Sequence, residues 1–329
     1  MQISSIIDVV EGNLINSPSI SFIYDIKTQL NKIHEGDLFI AKNPNDIGKA
    51  IQKGAFGILY DFETQIIDNE IAWIKVNNLE RSMSKLIRYK LSNLDLKAYF
   101  CNKVTFELLN SYVKLNNENI KLLPDDLSSC FNILENIDNN NTIICSNKEL
   151  LDDIYPNNIP FNKENYIVKN LVEHSLFETT FSCGDYYFPR IKLPSLYINN
   201  FIGVYNFLDN KLDINKLKRI SCFKPTFVDK YFEITDYGHS NKFIIAQEDV
   251  DVAKKEILYL QDKYKYANIL IAVSSDLSLY FGNADYYFND LLEIKDFAIN
   301  KKFNALYVVG ASNENILKIV EKSQSKSLL

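Results

Sequence analysis

The sequence predicts an α/β protein with a small α/β domain at its N-terminal end and a doubly wound α/β domain at its C-terminal end. Short apolar runs bounded by turn residues alternate with amphipathic stretches in both regions. The apolar run over 269–273 is typical of a strand buried on both faces in a parallel sheet. A length of 329 residues fits two or three domains of ordinary size.

Residues 1–92 are predicted to form the first domain. Asp46 is expected to cap its second helix, and Gly54 to end that helix. Apolar residues between Leu79 and Leu91 have the spacing of an amphipathic helix. The predicted elements are, in order, a helix over 4–10, strands over 21–24 and 38–41, a helix over 46–53, strands over 56–60 and 72–76, and a helix over 79–91.

Residues 223–329 are predicted to form the C-terminal domain, which is doubly wound and Rossmann-like. Ser312 is expected to cap the final helix, with Glu314 in its first turn. The other predicted elements are strands over 231–235, 242–246, 269–273, 286–288 and 306–309, and helices over 250–263 and 290–301.

Residues 93–222 form an irregular central region in this prediction. Pro156 and Pro160 interrupt it, and a hairpin is expected around Cys183-Gly184-Asp185. The other predicted elements are strands over 97–100 and 142–145 and helices over 105–115, 148–154, 198–208 and 214–220.

Composition and charge exclude several classes of function. A net charge of −6 gives no electrostatic case for a nucleic-acid binder. The five cysteines form no CxxC pair and the three histidines are scattered, so we expect reduced thiols and no metal site. No run of about 18 apolar residues occurs, and the N-terminal segment is predicted to be an amphipathic helix rather than a signal peptide. We therefore expect a cytoplasmic protein without a transmembrane segment.

Residues 35–61 read EGDLFIAKNPNDIGKAIQKGAFGILYD and resemble the first domain of the Mur ligase family. These enzymes use ATP to join amino acids to a peptidoglycan precursor. In the family this domain grips the uridine nucleotide of the precursor, with the help of a preceding D-S-R segment. Tyr24-Asp25-Ile26-Lys27 stands at that place. The resemblance implies Asp25 and Lys27 as binding residues, although Ile26 replaces the serine.

Residues 96–109 occupy the place of the family's phosphate-binding loop, T-G-S/T-N-G-K-T-T, and contain no glycine. Lys103 and Thr105 correspond to its phosphate-binding lysine and magnesium-binding hydroxyl. Such a loop needs glycines because its backbone N–H groups must turn inward around phosphate oxygens. We therefore expect only a strand, a turn and a helix here, and no cofactor. The alternative is ATP and Mg bound in a divergent way.

Residues 234–241 read ITDYGHSN and resemble the D-Y-A-H-x-P/N segment at the start of the family's third domain. The resemblance implies that Asp236, Tyr237, His239 and Asn241 lie near the nucleotide. The prediction places them at the C-terminal end of a strand, the usual position of a functional site in such a sheet. A purely structural role is an equal alternative.

Residues 308–312 resemble the family's V-K-G-S-R turn, which implies binding roles for Gly310 and Ser312. The family's lysine is Val309 here and its arginine is Asn313. A glycine turn between a strand and a helix explains the segment equally well.

The missing glycines and charged residues favour a Mur-ligase-like pseudoenzyme without catalytic residues. It would act as a binding or scaffold protein in bacterial peptidoglycan metabolism or cell shape. Its partners would be peptidoglycan-synthesis proteins or a UDP-linked precursor. The first alternative is an active ATP-dependent ligase acting on a UDP-MurNAc-peptide through Lys103, Thr105, Asp236 and His239. The second is an interaction module that binds no small ligand.

Overall fold

The computed structural model describes residues 1–116, 119–161, 165–209, 220 and 222–324, with side chains for all of these except 112–116 and 321–324. The chain forms two compact units. Unit 1 comprises Met1–Asn102 and Asn116–Asn162, and unit 2 comprises Lys103–Leu115 and Lys163–Leu329. The boundaries near residues 92 and 222 stay a prediction.

Unit 1 begins with a mixed sheet flanked by helices. Its strand order is β1-β5-β4-β3-β2, in which only β1 is antiparallel to its neighbour. Asn43 caps the second helix by accepting from the backbone N–H of Asn45, and Pro44 occupies the first helical position. The elements are α1 Ile3–Val10, β1 Asn13–Leu14, β2 Ile26–Lys27, β3 Leu38–Ile40, α2 Pro44–Gln52, β4 Gly57–Tyr60, β5 Ala72–Lys75 and α3 Leu79–Leu91.

A second, fully parallel sheet completes unit 1. Its order is β7-β8-β6-β9. Asp126 caps α5 and Asn147 caps α6 through their side-chain oxygens. The elements are β6 Lys97–Phe100, β7 Ile120–Leu123, α5 Leu127–Ile133, β8 Thr142–Cys145, α6 Lys148–Ile154 and β9 Ile159–Pro160.

Helix α3 lies at the centre of the unit 1 core. It packs against α1, α5 and α6. Its apolar face buries Met83, Leu86 and Ile87 together with Ile74 of the first sheet and Ile143 of the second. Because the apolar face of α3 is buried in the core, the opposite, polar side of the helix can make other contacts.

Unit 2 contains α4 and an antiparallel sheet of three strands in the order β10-β11-β12. The predicted hairpin is the β11–β12 pair, with Gly184 at φ +55° in its turn. The elements are α4 Lys103–Asn116, β10 Val168–Ser175, β11 Glu178–Cys183, β12 Tyr186–Ile191 and α7 Ile198–Phe207.

The rest of unit 2 is the predicted doubly wound domain. Its sheet has the order β13-β14-β17-β15-β16 and is parallel apart from β13. The apolar 269–273 run forms an interior strand, as predicted. The elements are β13 Thr226–Phe227, β14 Phe243–Gln247, α8 Val250–Lys263, β15 Ile269–Ser274, β16 Tyr286–Phe288, α9 Glu293–Asn300, β17 Ala305–Val309 and α10 Asn313–Gln324.

Two predicted strands are absent from the described residues. Within 21–24 only an isolated bridge between Gln2 and Phe22 forms. Over 231–235 the Asp229 carboxylate accepts from the backbone N–H groups of Tyr231 and Glu233. Those bonds form a turn, in which Phe232 has φ +68°.

Several element ends also differ from the prediction. The second helix is capped by Asn43 rather than Asp46, because the Asn43-Pro44 pair provides both an acceptor and a fixed φ. The helix predicted over 290–301 begins at Glu293, and the α4 helix begins at Lys103 rather than at 105. Six strands of the described residues were not predicted from the sequence: β1, β2, β7, β9, β10 and β13. The helix predicted over 214–220 falls, except for Ile220, outside the described residues.

None of the helices in the described part of the chain is long and apolar enough to cross a membrane.

Candidate functional site

The connection between β6 and α4 is two residues long. Strand β6 ends at Phe100 and helix α4 begins at Lys103, as the sequence predicts for a strand, a turn and a helix. The Cys101 N–H donates to the Cys145 carbonyl at 3.0 Å, so this backbone extends the sheet. A phosphate-binding loop of the form GxxxxGK needs more residues than this before its lysine. The connection is too short to wrap a phosphate group.

Lys103 and Thr105 point to partners within unit 2. Lys103 Nζ lies 3.9 Å from Oε2 of Glu248, and both side chains are partly exposed. Thr105 is only 5% exposed, and its hydroxyl accepts from Nδ2 of Asn200 at 2.9 Å. These contacts give both residues roles in joining α4 to the rest of unit 2.

The segment Asp236–Asn241 lies at the amino end of β14, not at the carboxyl end of a strand. The prediction of its position is therefore wrong, because the preceding strand does not form. Asp236, Tyr237, His239 and Asn241 are all exposed. The Tyr237 ring packs edge-on against Phe227 at 5.2 Å.

Lys103 and Glu248 lie near the opposite end of β14. Since β14 has five residues at ~3.3 Å each, Asp236–Asn241 is separated from them by roughly 15 Å. The structure does not bring the predicted residues of unit 2 into one site.

Gly310 and Ser312 have structural partners at the end of β17. Gly310 has φ +89°, and a Cβ there would lie 2.7 Å from Cβ of Ser274. The Ser312 hydroxyl accepts from the Asn315 N–H at 3.2 Å and so caps α10 as predicted. Close packing against Ser274 accounts for the glycine at position 310, and helix capping accounts for the serine at position 312.

Asp25 and Lys27 form part of a partly buried ion-pair cluster in unit 1. Lys27 is 8% exposed; its ammonium donates to Asp25 at 2.7 Å and also to Glu135. Burial acts to lower the pKa of Lys27, but hydrogen bonds to these two carboxylates raise it above its usual value. Lys32 reaches Glu135 as well, at 3.2 Å. The positive charge of Lys27 is therefore balanced within the protein.

A cavity of about 670 Å³ in unit 1 is the candidate binding site. Three of the residues that line it each follow a strand by two positions: Lys42 after β3, Asp125 after β7 and Asn147 after β8. Ligands of parallel α/β sheets bind beyond the carboxyl ends of the strands. We call this site the α3 cavity, because the polar side of α3 forms one of its walls.

The walls of the α3 cavity differ in charge. Helix α3 contributes Arg81, Lys85 and Arg88, whose spacing puts them on one face. The two residues before α5 and helix α6 contribute only acidic charge, from Asp125, Asp126, Glu149 and Asp153. Glu80 on α3 and Lys42 after β3 are the exceptions to this division.

Some of these charges are already paired. Lys85 binds Glu11 at 2.7 Å, and Lys42 lies 3.7 Å from Asp126. Burial acts to raise the pKa of Asp126, but hydrogen bonds from Ser129 and the charge of Lys42 lower it below its usual value. Asp126 thus stays ionised as a helix cap.

Other charges of the cavity have no ion pair within the described residues. These are Glu80, Arg81 and Arg88 on α3, and Asp125, Glu149 and Asp153 elsewhere in the lining. No group of three or more metal-ligating side chains occurs in the described part of the chain.

The α3 cavity was missed from the sequence, although one signal was present. The helix over 79–91 was predicted with the correct bounds, and its basic residues at positions 81, 85 and 88 share a face. Strand β7, Ile120–Leu123, was not predicted. Without β7, Asp125 could not be assigned to a strand end.

No protein-family model and no curated protein matches the chain. Several solved structures of ligases do, among them two MurF enzymes. A MurF ligase from Thermotoga maritima, solved in complex with ADP, is 15% identical, has a TM-score of 0.51, and aligns over 92% of this chain and 98% of its own. A MurF from Acinetobacter baumannii is 10% identical, has a TM-score of 0.52, and aligns over 98% of each chain. The resemblance carried by the sequence is thus confirmed in the fold: this chain has the fold of the Mur ligases.

Proposed function

We propose that this chain is a binding protein built on the Mur ligase fold and that it does not carry out ATP-dependent ligation. The observation that carries this proposal is the two-residue connection between β6 and α4. Phosphoryl transfer depends on a cradle of backbone N–H groups, a lysine and Mg²⁺ held in fixed positions. Cys101 and Asn102 provide too little backbone for that cradle.

The side-chain partners of Lys103 and Thr105 support the same proposal. In an ATP site the lysine would contact phosphate oxygens and the hydroxyl would contact Mg²⁺. Here the Thr105 hydroxyl accepts a hydrogen bond from Asn200, and Glu248 lies beside the Lys103 ammonium. A carboxylate beside that ammonium would repel a nucleotide phosphate.

The ligand that we propose is a UDP-linked peptide precursor of peptidoglycan. One structure with the same fold, from Acinetobacter baumannii, is a UDP-N-acetylmuramoylalanyl-D-glutamyl-2,6-diaminopimelate–D-alanyl-D-alanyl ligase (10% identity, TM-score 0.50, 99% of this chain and 98% of that one). The α3 cavity offers a polar site of ligand size, which supports binding of a small polar molecule. The protein would then act in cell-wall metabolism by holding the precursor or by presenting it to another protein.

Calorimetry and a turnover assay test this proposal. We expect no binding of Mg-ATP and no ADP release in the presence of UDP-MurNAc-peptide and amino acids. We expect UDP-MurNAc-peptide to bind without ATP. Lys49→Ala serves as a matched control for Lys103→Ala, because Lys49 is an exposed lysine on α2.

Micromolar ATP binding that Lys103→Ala abolishes and Lys49→Ala retains would overturn the proposal and favour an active ligase. If no UDP-MurNAc-peptide binds, the proposed ligand is wrong.

A further inference from the structure

Strand β16 and helix α9 line a small pocket in unit 2, which we call the β16–α9 pocket. Its volume of about 230 Å³ is below the roughly 300–1,000 Å³ that is typical of sites for whole small molecules. The residues from α9 are three or four positions apart, so they lie on one face of that helix. The lining consists of Tyr286, Glu293, Asp296, Phe297, Asn300 and Lys301. A pocket of this size suits one group the size of a side chain.

Two stacked aromatic rings form one part of the lining. The ring centroids of Tyr286 and Phe297 are 4.6 Å apart, and the ring planes differ by 14°. Aromatic faces carry partial negative charge and attract cations, and a planar guanidinium group also stacks on them. The aromatic part of the pocket therefore favours a cation, and a flat one in particular.

Two carboxylates supply the polar part of the lining. The Tyr286 hydroxyl donates to Oε2 of Glu293 at 2.8 Å, and Oε1 of Glu293 accepts from the Asp290 N–H at 3.1 Å. The hydrogen bond to Glu293 raises the pKa of Tyr286, and burial and the charges of Glu293 and Asp296 act in the same direction. Both carboxylates thus lie close to the Tyr286 hydroxyl, and neither has a cationic partner within the described residues.

Lys301 is the one basic residue in the lining of this pocket. It is exposed and makes no ion pair with any residue that the structure describes. Two negative charges from α9 thus stand against one positive charge after it. The pocket keeps an excess of negative charge that an arriving cation would neutralise.

The position of the pocket makes it accessible to another protein. Strand β16 is the last strand of its sheet, and no further strand of the described chain covers its outer edge. Tyr286 lies at the amino end of β16, whereas ligands of such sheets usually bind beyond the carboxyl ends of the strands. An uncovered sheet edge is a place where a segment of a second chain can dock.

We infer that the β16–α9 pocket is a docking site for an arginine side chain of a protein partner, with the guanidinium group against the Tyr286–Phe297 pair and donating to Asp296 and Glu293. Arginine fits better than lysine, because its planar fork matches both carboxylate oxygens and aromatic faces. This inference goes beyond the proposed function and does not depend on it, since the α3 cavity contributes no residue to the pocket.

NMR titration of the full chain with capped tripeptides tests the inference. The probes are the acetylated and amidated forms of glycyl-arginyl-glycine, glycyl-lysyl-glycine and glycyl-citrullyl-glycine. Citrulline has nearly the shape of arginine without its charge, so we expect it to bind at least about tenfold more weakly. The lysyl peptide is expected to lie between the two. Free L-arginine is the fourth probe and is expected to bind no more tightly than the arginyl peptide.

Variants assign the binding to this pocket. Asp296→Asn should weaken binding of the arginyl peptide about tenfold, and Phe297→Leu about threefold. Lys301→Gln should strengthen it at least about twofold, because the variant removes a repelling charge. Asp251→Asn and Lys302→Gln are the matched controls, since both residues are exposed in unit 2 outside the lining, and neither should change the affinity.

Equal affinity for the arginyl and citrullyl peptides would overturn the inference, as would absence of binding by the arginyl peptide. Tighter binding of free L-arginine would show that the pocket takes a small molecule and not a side chain of a partner. Weaker binding after Lys301→Gln would contradict the assigned charge of the site. Circular dichroism of each variant verifies that it is folded, and Lys301→Gln, at an exposed position, tests the site even if Phe297→Leu does not fold.

Discussion

Lys103 Nζ lies 3.9 Å from Oε2 of Glu248, and helix α4 begins at this lysine only two residues after β6 ends. The residue that the sequence resemblance aligns with a phosphate-binding lysine thus has a carboxylate as its neighbour. Glu107 on the same helix accepts from the Cys222 N–H at 3.0 Å. These contacts tie α4 to unit 2, and they are the reason why we assign it a structural role.

Lys103→Ala should have little effect on stability. The pair with Glu248 is long and partly exposed, and such ion pairs contribute about 0–1 kcal/mol. Thr105→Val should cost more, because it removes the acceptor of the Asn200 amide in a buried position, at about 1–3 kcal/mol. Urea unfolding measures both. A larger loss for Lys103→Ala than for Thr105→Val would contradict this assignment.

Glu256 should make the stability of unit 2 depend on pH. Its side chain on α8 is fully buried and accepts from the hydroxyls of Tyr197 and Tyr307. Burial raises its pKa to about 7, although both hydrogen bonds act to lower it. As the pH rises, the Glu256 carboxyl of the unfolded state therefore loses its proton first, at its ordinary pKa, and the folded state keeps the proton to a higher pH.

The sign of the pH dependence follows from this difference. Between about pH 4.5 and pH 7 the folded state binds more protons than the unfolded state, so the free energy of unfolding falls as the pH rises, by roughly 3 kcal/mol at most. Above that range the contribution is constant. Glu256→Gln should remove this fall, and Glu248→Gln, at an exposed carboxylate, should retain it. Thermal unfolding of both variants across this pH range is the measurement. If their stabilities depend on pH in the same way, Glu256 is not the source of the pH dependence.

Gly310→Ala should destabilise unit 2 by about 1–3 kcal/mol. The new Cβ would lie 2.7 Å from Cβ of Ser274, and φ at this position is +89°. Gly282→Ala is the control, because nothing lies within 4 Å of a Cβ there. The comparison uses urea midpoints, and equal midpoints for the two variants would show that the backbone can adapt at Gly310.

Lys27→Met should destabilise unit 1 more than Lys32→Met does. Lys27 is buried and bonded to Asp25 and Glu135, so its loss leaves two carboxylates without their shared partner, at a cost of about 1–3 kcal/mol. Lys32 is more exposed and reaches only Glu135. Urea unfolding of both variants measures the difference. If Lys27→Met had the wild-type midpoint, the cluster would not stabilise the fold.

Local patterns in the sequence were enough to predict many elements. Helices α3 and α8 and strands β8 and β16 have the predicted bounds. Each of these has a clear apolar period or a capping residue, such as Asn78 before α3 and Asp249 before α8. The predicted strand over 231–235 failed where a side chain, Asp229, competed for the backbone N–H groups that a strand would use.

The sequence by itself determined the α/β class, the doubly wound C-terminal domain and the lack of a glycine cradle after β6. These features depend on residues close together in the chain. Only the tertiary structure decided where the charged groups meet. Lys42, Asp125 and Asn147 are far apart in sequence, and they line one cavity because β3 of the first sheet and β7 and β8 of the second end beside α3. The same structure put Asp236–Asn241 and Lys103 at opposite ends of β14, since the direction of a strand in its sheet is fixed by its neighbours.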